Sequence, residues 1–220
     1  MIGNVFFDLD GTLTDPKEGI TRCIQYSLKQ LGRPYPSDLK PTDFIGPPLR
    51  STFAKLLCSD EKPLIEKAMS LYRERFSEVG IFENMVYPGI DEVLSALHEK
   101  SLRLYVVTTK PTVYAERIIK HFSLAQWFSD IFGTELDGRF DNKAELVEFI
   151  LRNLKLVPEE TAMVGDKKED IIAAKSNRIR TIGFTYGYGS KQEISNSAPD
   201  YVCNSPSEVQ MTIMSICETV

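Results

Sequence analysis

The chain has 220 residues, 42% of them hydrophobic and 26% charged, with a formal net charge of −5. That length suits one larger domain, or one domain carrying a smaller insertion, and is enough to bury a core without covalent staples. The acidic balance argues against a nucleic-acid polymer as partner, which needs a basic face, but leaves room for a local basic pocket.

Cys23, Cys58, Cys203 and Cys217 are scattered and form no CxxC pair, so neither a disulfide framework nor a zinc site is indicated. Reduced thiols in a cytoplasmic protein are the expectation. No basic segment followed by an apolar run opens the chain, and no apolar stretch approaches the ~18 residues of a membrane span.

The first element is a short strand. Val5, Phe6 and Phe7 run straight into Asp8, and continuous apolar character predicts a strand covered on both faces. From Lys17 to about Gly80 helical spacing takes over, with Ile20, Ile24, Leu28 and Leu31 before Gly32, and Ile65, Ala68, Tyr72, Phe76 and Val79 before Gly80. Loops around Pro34, Pro36 and Pro41, and the stretch FIGPPLR, lie between them. Residues 16–84 therefore read as a small helical insertion in a core made of 1–15 and 85–220.

After Pro88-Gly89, helix and strand alternate. Ile90 to Leu97 suits a helix and LRLYVV a buried strand ending at Thr108; PTVYAERIIKHF suits a helix with Pro111 in its first turn. DIFGT is a short strand, AELVEFILRNL a helix and TAMVGD a strand that runs into a second acidic turn. DIIAAKSN, RTIGFTY, DYVCN and PSEVQMTIMSICETV then read as helix, strand, short strand and closing helix. Such alternation predicts an α/β fold: a Rossmann-like parallel sheet with helices on both faces, plus the small α-helical unit. Ligands of such sheets bind at the carboxyl ends of strands. Asp8, Thr108 and Asp166 each stand where a strand is expected to stop.

Asp8 and Asp10 flank one residue and precede Gly11, which permits a sharp departure from the sheet. Alternate residues can face one cavity, and two carboxylates in one cavity invite a hard divalent cation such as magnesium. A polar turn after a strand would use the same residue types. Thr108, with Thr109 as a neighbouring candidate, could equally cap a helix, and Lys143 in FDNKAEL could be a solvated surface charge. MVGDKKEDI places Asp166 and Asp170 four residues apart.

FFDLDGTLTD closely resembles the first signature of the haloacid dehalogenase-like hydrolase superfamily. The other three signatures follow in that family's order: Thr108 at a strand end, Lys143 before a helix, and Asp166 and Asp170 in a Gly-Asp-x-x-x-Asp frame. The resemblance covers essentially the whole chain, and a small helical cap after the first strand belongs to it. FIGPPL, VVTTKP, FDNKAELV, MVGDKKEDI and GFTYGYGS are most similar to the phosphoglycolate phosphatase group, which includes enzymes called 5′-nucleotidases and pyrophosphatases. One departure is Arg178 after Asn177, where a small residue is expected; Asn177 is the candidate to carry that turn.

The resemblance implies a Mg2+-dependent phosphatase acting on a small phosphorylated metabolite. Asp8 would be the nucleophile and Asp10 the general acid and base. Thr108, Thr109 and Lys143 would hold the phosphoryl group. Asp8, Asp10 (through its backbone carbonyl), Asp166 and Asp170 would surround the metal, with Asp170 either a ligand or a support. Gly46 and Arg50 in the cap would contact the substrate. A pyrophosphatase or phosphomutase of the same superfamily is the alternative. A phospho-accepting receiver switch is the alternative outside enzymes, although receivers are about half this length.

Overall fold

The structure is a computed structural model and describes residues 1–36 and 40–218. The chain opens with strands β1 (Asn4–Phe7) and β2 (Thr14–Asp15), then helices α1 (Lys17–Gln30), α2 (Leu49–Leu57) and α3 (Lys62–Glu78). Strand β3 (Met85–Val86) leads into α4 (Ile90–Glu99), β4 (Arg103–Pro111), α5 (Thr112–His121) and β5 (Asp130–Thr134). The remainder is α6 (Lys143–Leu154), β6 (Thr161–Gly165), α7 (Lys168–Ser176), β7 (Arg180–Phe184), α8 (Lys191–Asn196), β8 (Tyr201–Cys203) and α9 (Pro206–Glu218). Thr219 and Val220, the end of the expected closing helix, lie outside the described residues.

The chain forms two compact units, Met1–Thr14 with Val86–Val220, and Asp15–Met85. Among the described residues the first unit holds a six-stranded sheet in the order β5-β4-β1-β6-β7-β8, with every pair parallel. Strand β1 sits between β4 and β6, and Phe7 is in register with Val106 on one side and Val164 on the other. That central place is why Val5, Phe6 and Phe7 are all apolar and all buried. The chain winds outward from β1 in both directions, so the carboxyl end of β1 is the topological switch point, where open α/β sheets form their crevice.

On one face Phe6, Tyr105, Val107 and Met163 pack with Leu146, Val147 and Ile150 of α6 and Ala173 and Ala174 of α7. On the other face α4 packs on α9 and β4, and α9 on β8. The expected α/β architecture with helices on both faces is the observed one.

Strand β4 runs further than the apolar pattern indicates. Its register with β5 is regular from Tyr105 to Val107 and resumes only at Pro111, opposite Thr134. Residues 108–110 therefore form an irregularity, the kind of feature that re-aims side chains at sheet ends. Pro111 precedes α5 in an extended conformation, with φ −53° and ψ 133°, rather than occupying its first turn.

Arg178, not Asn177, carries the left-handed turn after α7: its φ is +59°, and that of Asn177 is −104°. Ile179 N–H donates to the Ala174 carbonyl and Arg178 N–H to that of Lys175, which closes the helix as a Schellman motif. Asn177 is engaged elsewhere. Its side-chain amide donates to the carbonyls of Ala144 and Ala173, tying the start of α6 to α7.

In the second unit α1 and α2 each pack on α3. Phe53, Tyr72 and Phe76 form a run of ring contacts, and Ser27 Oγ donates to the Ala68 carbonyl at 2.7 Å. Arg75 grips Glu83 through two hydrogen bonds of 2.7 and 2.9 Å. Helix α2 was not expected: it starts directly after Pro47-Pro48, which reads as loop, and its nine residues give little periodicity.

Candidate active site

Asp8 follows the last residue of β1, and Asp166 follows the last residue of β6, its neighbour in the sheet. Asp170 lies in the first turn of α7, and Lys143 opens α6. The carboxylates of Asp8, Asp166 and Asp170 offer oxygens all within 4.8 Å of one another, and all three residues are buried. Lys143 Nζ lies 2.6 Å from Asp8 Oδ1 and also pairs with Asp170 Oδ1, so one buried ammonium serves two of the three acids.

The electrostatics follow from that crowding. Burial first, then the charges of Asp170 and Asp8, push the Asp166 carboxyl above its ordinary range. Burial also raises Asp170; Lys143 opposes this and Asp8 adds to it. Burial alone would lower Lys143, but Asp170 and Asp8 outweigh it and hold the ammonium above its usual value. The protein's own cations thus leave the acids under-compensated.

Asp166 is held from two sides. Thr12 Oγ1 donates to its Oδ1 at 3.2 Å, and Tyr188 N–H donates to its Oδ2 at 2.7 Å. The loop at 187–189 presses so closely on this turn that a Cβ on Gly187 would collide with the Gly11 carbonyl oxygen and the Asp166 side chain. Both Asp170 oxygens are engaged, one by Lys143 and the other by the Lys167 N–H at 2.9 Å.

Asp10 is not one of the three clustered carboxylates and has a cation of its own. Its Oδ2 is 2.7 Å from the ammonium of Lys110. Burial raises its pKa, and Lys110 works against that. Thr108 is buried, and its Oγ1 accepts from the Lys110 N–H at 3.2 Å. The Thr109 carbonyl accepts from Thr134 Oγ1, fixing this segment to β5. Gly46 and Arg50 belong to the second unit. Gly46 has φ +100°, and Arg50 pairs with Glu66 on the surface. Asp15, which ends FFDLDGTLTD, accepts from the Lys17 N–H where α1 begins.

Residues 5–184 match the haloacid dehalogenase-like hydrolase family. The chain belongs to that family. It is 43% identical over 200 residues to a 5′-nucleotidase of Pseudomonas aeruginosa, covering 91% of this chain and 90% of the relative. It is 29% identical over 210 residues to a phosphoglycolate phosphatase of Vibrio vulnificus, with 91% of each covered. Among solved structures, that of a predicted phosphatase from Clostridium acetobutylicum superimposes with a TM-score of 0.90 at 39% identity, covering 98% of this chain and all of the other. The chain is a phosphatase of the haloacid dehalogenase-like family.

The donor set of this family member fits a hard divalent cation. Its acids supply oxygen only, and the raised pKa values of Asp166 and Asp170, set first by burial and then by neighbouring carboxylates, mark a charge deficit that a cation would relieve. No helix among the described residues is long and apolar enough to cross a membrane.

The sequence motifs assign no role to Lys110, although VVTTKP contains it. A lysine two residues past a strand-end threonine, in an otherwise apolar context, was the available signal. Thr12 and the Gly187-Tyr188 loop carry a fainter one, since Thr12 meets Asp166 across 154 residues and Gly187 presses on Gly11 from a separate loop.

Proposed function

We propose that this phosphatase is magnesium-dependent and hydrolyses a small phosphomonoester through an aspartyl-phosphate on Asp8, with phosphoglycolate and 5′-nucleotides as the leading substrate classes. The observation that carries this reading is Asp8 at the switch point of the sheet, sharing Lys143 with Asp170 and converging with Asp166. Asp8, Asp166 and the backbone carbonyl of Asp10 would hold the ion. With both oxygens engaged, Asp170 acts chiefly to fix Lys143. Bound magnesium would neutralise charge on the transferring phosphoryl group.

An Asp8 oxygen attacks phosphorus in line, the ester P–O bond breaks, and Asp10 gives its proton to the departing oxygen. Water then attacks the aspartyl-phosphate, its proton passes to Asp10, and Asp8 is regenerated. Thr108 and Lys143 hold the phosphoryl oxygens, so most of the rate comes from positioning and charge compensation. Unit Asp15–Met85 serves as the cap that selects the leaving group, with Gly46 and Arg50 as its candidate contacts.

A screen of phosphate release over a panel of phosphorylated metabolites, with and without magnesium, tests the reading. Release from phosphoglycolate or nucleoside monophosphates that needs magnesium and vanishes in Asp8→Asn is the expected result. Preference for pyrophosphate, or sugar-phosphate isomerisation without release, would favour the pyrophosphatase or phosphomutase alternative. Full activity in Asp8→Asn would overturn the assignment.

A further inference from the structure

Lys110 takes no part in the scheme above, yet its ammonium is buried against Asp10 at 2.7 Å, with side chains only 7% and 13% exposed. The second oxygen of Asp10, Oδ1, is buried and has no hydrogen-bond partner among the described residues. A carboxylate held at one oxygen and bare at the other is a directed group. Its free oxygen cannot swing away without breaking a buried ion pair. We propose that Lys110 is a positioning residue: it holds Oδ2 of Asp10 and so presents Oδ1 to the oxygen that gains or loses the proton.

This inference rests on the phosphatase reading. On it, the proton on Oδ1 passes to the ester oxygen as the P–O bond breaks, and Oδ1 takes a proton from water as the aspartyl-phosphate is cleaved. The sheet-end irregularity at 108–110 explains how the chain builds this. Lys110 N–H donates to Thr108 Oγ1, so the residue proposed to hold the phosphoryl group and the one aiming Asp10 are set by the same three residues.

The test separates aim from mere charge balance by leaving group. A nitrophenolate departs without a proton, whereas an alkoxide needs one. Purified full-length Lys110→Met is therefore assayed for kcat/KM on p-nitrophenyl phosphate and on the best alkyl phosphate of the substrate screen. A loss of at least ~30-fold on the alkyl ester against under ~3-fold on the nitrophenyl ester is expected, within the range general acid catalysis contributes. In an Asp10→Asn background the same substitution should cost less than ~2-fold on either ester, because its route is already gone.

Equal losses on both esters, or an undiminished loss in the Asp10→Asn background, would overturn the inference. If Lys110→Met does not fold, Lys110→Gln is judged by the same ratio of esters. A wild-type chain inactive on both esters would overturn the phosphatase reading and this inference with it. An active wild type with equal losses overturns only the inference.

Discussion

The two units treat charge in opposite ways. In the first, Asp8, Asp166, Asp170, Lys143 and Lys110 are buried at strand ends and helix starts, where water cannot solvate them. In the second, Arg50–Glu66 and Arg22–Glu18 are ion pairs with more than half of each side chain exposed, and the interior is carried by rings such as Phe53, Tyr72 and Phe76. Burying a charge costs several kcal/mol even when it is paired, and an apolar replacement often stabilises. Five such groups retained at one end of one sheet fit the chemistry proposed for that site. Ions kept in solvent, such as Arg50–Glu66 and Arg22–Glu18, are free to vary; Arg75–Glu83, with side chains only 20% and 16% exposed, is a shielded pair of this unit.

The largest effects should follow from removing the buried charges. Asp8→Asn should abolish turnover, and Lys143→Met should lower kcat by at least ~100-fold, the scale of a single lost electrostatic contact to a transition state. Single-turnover phosphate release measures both. A Lys143→Met enzyme within tenfold of wild type would break the contrast, since that ammonium would then be structural. Next comes Gly187→Ala, whose Cβ meets backbone at Gly11 as well as the Asp166 side chain. It should lower stability by about 1–3 kcal/mol, as overpacking does, and weaken the magnesium activation proposed above; thermal unfolding and a magnesium titration check the two parts.

That loop marks where the sequence stops being informative. The central strand, the alternation that follows and the acidic turns are local patterns, and Val5–Asp8 or Thr161–Asp166 can be read without knowing any partner. The grouping of Asp8, Asp166, Asp170 and Lys143 became visible only because four short signatures occur in a familiar order. The partnership of Lys110 with Asp10, and that of Tyr188 with Asp166, leave no local trace because each spans a strand crossing. Helix α8 escaped for a different reason: six residues hold less than two turns, too few for a period to register. Arg178 misled because conformational preference favours Asn in a left-handed turn, but Asn177 is occupied in bridging α6 and α7.

Glu83 gives an intermediate effect within the second unit. Hydrogen bonds from Arg75, against some opposition from burial, hold its carboxyl below the ordinary value of 4.5. A carboxyl depressed by folding stabilises above its unfolded pKa and loses that contribution as pH falls through its folded pKa. Glu83→Gln should therefore cost about 1 kcal/mol at pH 7. The gap from wild type should begin to close below about pH 4.5 and vanish in stronger acid. Urea unfolding at several pH values reads this directly; no gap at pH 7 would show the pair to be unimportant, and a gap that widened on acidification would reverse the direction assigned to Glu83.

The smallest effect belongs to Arg50, where the contrast is sharpest. Its pair with Glu66 is solvent-exposed on both sides, so Arg50→Ala should change unfolding free energy by no more than about 0.5 kcal/mol. That near-silence in stability makes the kinetic readout clean. If Arg50 meets a carboxylate or second phosphate on the leaving group, KM should rise for substrates carrying one and stay unchanged for p-nitrophenyl phosphate, because uniform binding has been lost. Unchanged kinetics on every substrate would remove Arg50 from recognition and leave it a surface ion. A stability loss of 2 kcal/mol would instead mean that the charges of this unit carry more of its fold than their exposure implies.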